Sequence, residues 1–345
     1  MQNRSRRAIL KKADSLSPEE LQTWQELSTT QPHLASPFMS AHYARAVAEA
    51  GLDARVCIVR DEDQISAFFP HSYASGLASM FGVAERIGGE MTDTFGVVAH
   101  SGFRTSPEEL LRLAKINYLN FSHLAESQLH YGLAASQPRV GLRTRVDPQA
   151  VPVLNSVPSI GKHYLKESAR RTRKLTEEVG PLRFEFNVEG NRTEALELLI
   201  RQKRAQYRSS GAPDSLKESW KRNTLSRLLD YRFDSCQGVL SSLYAGDAWI
   251  ASHFGIMGNG ILHMWFPVYN QEFSKYSPGR LLLHAIIESS RAAGFDTVDR
   301  GEGDTPIKRE IANQEYQLYR GIWQSRSALT PIVHNFTRLR WRLGF

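Results

Sequence analysis

The sequence predicts an α/β protein of two units, each organised round a mixed sheet. Three observations predict it. The 345 residues exceed one ordinary compact core and suffice for two. A hairpin pattern followed by a helix and a further strand occurs in both halves of the chain. Between them, residues 147–158 are rich in Pro and Val and read as a linker.

Residues 17–27 read as an amphipathic helix opened by Ser17-Pro18, with Glu19 and Glu20 in its first turn. Residues 40–50 form a second helix, ended by Gly51. A strand over 55–60, a polar turn at Asp61-Glu62-Asp63-Gln64 and a returning strand over 65–73 make a hairpin. Glycine-rich text follows (Gly76, Gly82, Gly88, Gly89), then a helix from Ser106-Pro107 and a strand over 118–124. Past the linker, a strongly basic helix covers 163–179 and stops at Gly180-Pro181. Residues 182–188 alternate like a strand, and helices cover 193–207 and 216–231. Three antiparallel strands come next, at 239–244, 249–257 and 261–269. Gly246-Asp247 joins the first pair, with glycine first as a type II′ turn requires. Gly258-Asn259-Gly260 joins the second pair and reads as a three-residue turn. An apolar helix over 281–293 is stopped by Gly294, with Phe295 placed for the closing contact. A strand over 297–300 returns parallel to the third strand, and another covers 316–323.

Hydrophobic residues make up 41% and charged residues 23%, the mix of a soluble globular protein. No stretch has the apolar length of a membrane span. The basic N-terminus lacks the apolar core of a secretory signal, so the expected compartment is the cytoplasm. Cys57 and Cys236 have no CxxC spacing, which argues against a disulfide framework and against a metal site. The net charge of +7 concentrates near the N-terminus, at 162–174 and at 338–342. Solvated helix faces, a phosphate-rich cofactor, an acidic glycan and the inner membrane surface all fit that charge. Zinc-finger spacing and RNP-type aromatics, the signs of nucleic-acid binding, are absent.

The turn Tyr276-Ser277-Pro278-Gly279-Arg280-Leu281 is a candidate anion site. Ser277 suits an N-cap and Pro278 the first helical position. The amides of Gly279, Arg280 and Leu281 have no partner within the helix, and Arg280 adds a side-chain donor. The preceding strand, Trp265-Phe266-Pro267-Val268-Tyr269, carries a proline, which belongs at an edge or a bulge. A bulge there parts the strand from its neighbour and leaves backbone at Phe266 and Val268 open to a long ligand. A three-residue turn sets His253 and His263 on one sheet face as diagonal neighbours; a two-residue turn sets them on opposite faces. A histidine in a cleft serves as a base near neutral pH. Asp299, Arg300, Asp304 and Lys308 form a polar cluster after the parallel strand. Buried core histidines and a surface salt-bridge loop are the alternative readings of these groups.

The runs LYAGDAWIASHFGI, LHMWFPVYNQEFSKYSPGRLLL and GFDTVDRGEGDTPIKRE resemble the CelD-like branch of the GNAT acetyltransferase superfamily. SPFMSAHYARAVAEAG and FGVAERIGGEMTDTFGVV extend the likeness to the first half. That branch is similar to the FemABX-type transferases, which carry two GNAT-like units in tandem. The resemblance implies a degenerate GNAT-like unit over 1–155, a GNAT acetyltransferase domain over 156–330 and a basic tail over 331–345. It implies an acyl-CoA-dependent N-acyltransferase with acetyl-CoA or another acyl-CoA as co-substrate. The implied acceptor is an amine, small or on a glycan, in polysaccharide or cell-envelope biosynthesis, with peripheral association at the inner membrane or a synthase complex. Phe266, Val268, Tyr276, Ser277, Gly279, Arg280 and Leu281 then hold the cofactor. The usual Gln/Arg-x-x-Gly-x-Gly/Ala pattern is matched only by Gly279 and Arg280. His253, His263, Tyr269 and Asp304 are the catalytic candidates, and Lys203, Gln206, Tyr207 and Lys308 the substrate candidates. Alternatives are aminoacyl transfer from aminoacyl-tRNA, with the basic helix on RNA phosphate, and a non-catalytic accessory of a synthase complex.

Overall fold

The computed structural model describes residues 6–325. The first half runs β1 (Arg6–Lys12), α1 (Pro18–Thr29), α2 (Ala41–Glu49), β2 (Asp53–Asp61), β3 (Gln64–Tyr73), α3 (Gly76–Met80), β4 (Val83–Arg86), β5 (Val98–Ala99), α4 (Pro107–Ala114), β6 (Tyr118–Ala125) and β7 (Gln137–Arg145). The second runs α5 (Lys162–Glu178), β8 (Leu182–Glu185), α6 (Arg192–Ser210), α7 (Ser219–Asp230), β9 (Gln237–Ala245), β10 (Ala248–Gly258), β11 (Ile261–Tyr269), α8 (Pro278–Glu288), α9 (Ser290–Ala293), β12 (Thr297–Glu302), α10 (Pro306–Arg309) and β13 (Gln314–Gln324).

The chain packs as two compact mixed α/β units. One takes the described residues up to Arg139 and those from Gln317 onward; the other is Val140–Tyr316. In the first unit β1, β2, β3 and β4 are successively antiparallel, and β4 runs parallel to β6. Residues 318–324 of β13 close it, antiparallel to β6. Its helices start on strong caps: Ser17 and Glu20 form a capping box on α1, and Ser106 caps α4. Buried aromatics such as Phe69, Phe95 and Phe121 fill its core.

The second unit repeats the scheme. β8, β9, β10 and β11 are successively antiparallel, β11 runs parallel to β12, and β7 closes the unit antiparallel to β12. The crossover helix α8 packs its Leu281, Leu282, Leu283, Ile286 and Ile287 into the core with Leu262 and Val298. Gly294 ends the helical run at φ +76°, and Phe295 is buried behind it. Each unit therefore receives its last strand from chain that follows the other unit's parallel strand. The first unit is the lesser version: β4 has four residues where β11 has nine.

Two expectations change. Residues 140–155, expected in the first domain, pack with the second unit, and the described residues from 317 onward pack with the first. Residues 147–158 are not a free linker. Val153, Leu154 and Val157 enter the second core, and the Val153 and Leu154 amides donate to the Glu288 carboxylate at 3.0 and 2.9 Å. The N-terminal RRAILKK, to which the sequence assigned no element, is a strand. The expected basic tail, 331–345, lies outside the described residues. Among the described residues no helix is long and apolar enough to cross a membrane.

Candidate functional site: a cleft between parted strands

β11 and β12 pair only at Ile261↔Thr297, Leu262↔Val298 and His263↔Asp299. Beyond that point β11 continues to Tyr269 and β12 to Glu302 without pairing to each other again. A bulge directs the parting. Gly255 faces Met264 and Phe254 faces Phe266, so Trp265 is the extra residue. Its N–H donates to His253 Nε2 at 3.3 Å. Gly255 makes room for that ring, because a Cβ there would lie 2.4 Å from His253 Cε1. The expected proline-marked bulge is thus present, with Pro267 exposed between buried Phe266 and Val268. Tyr269, half-buried, ends the strand opposite Ala251.

His253 and His263 do not share a face. The turn has two residues, Asn259 and Gly260, at φ +50° and +77°, and Gly258 pairs with Ile261. His263 then faces Ile256, three residues from His253 on an unbulged run of β10, so the two rings point to opposite sides. His253 is fully buried, its Nδ1 has no partner, and burial, then the charges of His263 and Lys203, push its pKa down to about 3. It holds the bulge rather than serving as a base. Gly255→Ala is expected to lose about 1–3 kcal/mol by overpacking that ring. His253→Ala is expected to lose a similar amount by stranding the Trp265 amide. Urea midpoints of the two variants check this; a parent-like Gly255→Ala would mean the ring is not fixed there.

At the start of α8, Ser277 occupies the N-cap in the left-handed region at φ +56°, and its side chain makes no capping bond. Its carbonyl accepts from the Arg280 and Leu281 amides at 2.9 and 3.2 Å. The expected three-amide cradle is therefore reduced to the Gly279 amide, for which the described residues supply no partner. A Cβ on Gly279 would meet nothing within 4 Å. Arg280 is also committed: its Nη2 donates to both carboxylate oxygens of Glu310, at 2.8 and 3.0 Å, and its guanidinium lies 4.3 Å over the Tyr164 ring. Tyr164 hydrogen-bonds His284 at 2.8 Å. Tyr276 is buried and donates to Glu178.

His263 meets a carboxylate that the sequence reading left among a loop cluster. Its Nδ1 stands 3.6 Å from Asp299 Oδ1, an ion-pair distance. The closer partners of Asp299 are Arg143 Nε at 2.8 Å, Tyr316 OH at 2.7 Å and the Gly301 amide at 2.8 Å. Burial alone would raise the Asp299 carboxyl, but His263 and Arg143 outweigh it and hold it far below the ordinary carboxylate range. Asp304, expected to orient an amine or a histidine, is exposed, and Arg309 takes its carboxylate, one contact at 2.8 Å. Lys308 donates to the Glu302 carbonyl at 2.7 Å and so caps the end of β12.

Lys203, Gln206 and Tyr207 do come together on α6. Lys203 Nζ donates to Gln206 Oε1 at 3.0 Å and to the Pro267 carbonyl at 2.9 Å, and lies 5.2 Å from the Tyr207 ring centre. Burial pushes its pKa down to about 8. An amine of lowered pKa, carried by α6, is therefore held against the bulged strand. The basic helix α5 satisfies much of its charge internally, through Glu167 with Arg170 and Arg171 and Glu178 with Lys174.

Antiparallel strands, a bulged third strand, a crossover helix and a parted parallel strand together make up the second unit. Residues 164–309 match the family described as Acetyltransferase (GNAT) domain. FemX superposes with a TM-score of 0.58 at 11% identity, covering 92% of this chain and 98% of that one. A tandem GNAT protein from the clavulanic acid biosynthesis pathway gives 0.51 at 12%, covering 93% and 98%. L-PGS from Bacillus licheniformis gives 0.51 at 11%, covering 94% and 97%. At these identities the likeness is one of fold, and the fold is that of tandem GNAT proteins. No curated protein matches the chain.

Proposed function

We propose that the chain is an acyl-CoA-dependent N-acyltransferase acting on an amine in polysaccharide or cell-envelope metabolism. One observation carries the CoA reading: β11, unpaired with β12 past His263, leads within eight residues into the start of α8, where a side chain on Gly279 would meet nothing within 4 Å. The Gly279 amide and the helix dipole suit a pyrophosphate, and the free edge of β11 past His263 suits an amide-bearing arm. When bound, the CoA ester supplies an activated acyl group. Amine attack forms the C–N bond, the C–S bond breaks, and the amine proton passes to a base while the thiolate is protonated. Neutral Lys203, held at the Pro267 carbonyl, is the proposed proton acceptor.

The test has two parts. Acetyl-CoA at about 100 times its Kd raises stability by roughly 2.7 kcal/mol if it binds the folded chain alone. Failure of every acyl-CoA to shift the melting temperature, with aminoacyl-tRNA binding in its place, overturns the reading. Thiol release in the presence of an amine acceptor is then expected to rise as pH passes through about 8, where Lys203 loses its proton. In Lys203→Met that rise disappears; a variant with the parent's pH profile excludes Lys203 as the acceptor.

A further inference from the structure

A groove between α6 and α7 is lined by five arginines, Arg192, Arg201, Arg204, Arg208 and Arg222, against two carboxylates, Glu197 and Asp230. Leu196, Ile200 and Leu229 form its apolar floor. The spacing of Arg201, Arg204 and Arg208 puts three guanidiniums on one face of α6. Lys203 lies round the helix from them, turned to β11, so the groove is separate from the cleft.

Three of the arginines are already fixed. Arg204 pairs with Asp214 at 2.7 Å, Arg222 donates to the Leu216 and Lys217 carbonyls at 2.7 and 2.6 Å, and Arg192 donates to the Val188 carbonyl at 3.2 Å. Anchored guanidiniums lose little further freedom when they bind. Arg201 and Arg208 are exposed and have no side-chain partner among the described residues. Two uncommitted forks beside three anchored ones, over an apolar floor, match an anion with several acceptor oxygens on a small organic body. From this we infer that the α6–α7 groove binds a phosphate ester, as a free small molecule or as a lipid headgroup.

The experiment uses the full chain and its Arg201→Ala/Arg208→Ala variant. One arm titrates glycerol 3-phosphate by calorimetry. The other measures co-sedimentation with phosphatidylglycerol vesicles against phosphatidylcholine vesicles. Binding by the parent in one of the arms, weakened about tenfold or more in the variant, supports the site and identifies the source. CoA affinity is expected to stay as in the parent. Absence of parent binding in both arms overturns the proposal, as does equal binding by the variant. A variant that loses CoA along with the phosphate ester also overturns it, since the groove would then belong to the CoA site.

Discussion

Gly279→Val is expected to weaken CoA binding by about 2–4 kcal/mol, some thirtyfold to a thousandfold, with no loss of folding stability. Gly279 has ordinary helical backbone, and a side chain added there meets nothing in the chain. Valine is also a better helix former than glycine. Its methyl groups would fill the space a pyrophosphate needs to reach the Gly279 amide. Calorimetry with CoA and dephospho-CoA checks this, because both keep the pyrophosphate. A folded variant that binds both as the parent does would show that the phosphates sit elsewhere. Arg280→Ala tests a different point. Its guanidinium is bound by Glu310, so removing it leaves an unpaired carboxylate beside the proposed phosphates. The expected weakening therefore includes new repulsion as well as a lost donor.

Asp299→Asn is expected to destabilise the fold by about 3 kcal/mol, the lower end for breaking a buried ion pair, since Arg143 retains some contact with solvent. Urea unfolding measures it, and Asp304→Asn, on an exposed pair, is the control that leaves the midpoint unmoved. The pH dependence has a definite sign. The carboxyl of Asp299 is depressed in the folded chain, so its contribution is fully present above the ordinary aspartate range and is lost as pH falls below it. Parent and variant stabilities should converge in acid. A difference independent of pH would mean that the carboxylate's charge is not what stabilises this network.

The strands of the second half were legible because β-branched and aromatic residues alternate between glycine turns. The α8 start was legible because Ser-Pro-Gly punctuates the chain. The length of the β10–β11 turn was misread for a physical reason. Gly258 looks like a turn glycine, yet it lies within β10, where a Cβ would come 2.1 Å from the Ser235 carbonyl oxygen. Close approach, not turn geometry, requires it, and Asn259-Gly260 alone supplies the type I′ conformation. The Arg143–Asp299–Tyr316 contacts were hidden because the register that makes them joins residues 156 positions apart. β1 was hidden because an edge strand needs little apolar patterning, and RRAILKK has charges at both ends with only Ala8, Ile9 and Leu10 between them.

The exchange of closing strands sets an order on synthesis. The first unit has β1 to β6 early, but the strand that covers the β6 edge lies at 318–324, after the whole of the second unit. Domains emerging from a ribosome generally fold N-terminal part first. Here that part waits, with an open strand edge, until the other unit has been translated. The second unit meets the opposite situation, since β7 emerges well before the β12 it pairs with. Dividing the gene just before β7 keeps the second unit whole, because it is one continuous stretch, but strips the first of its closing strand.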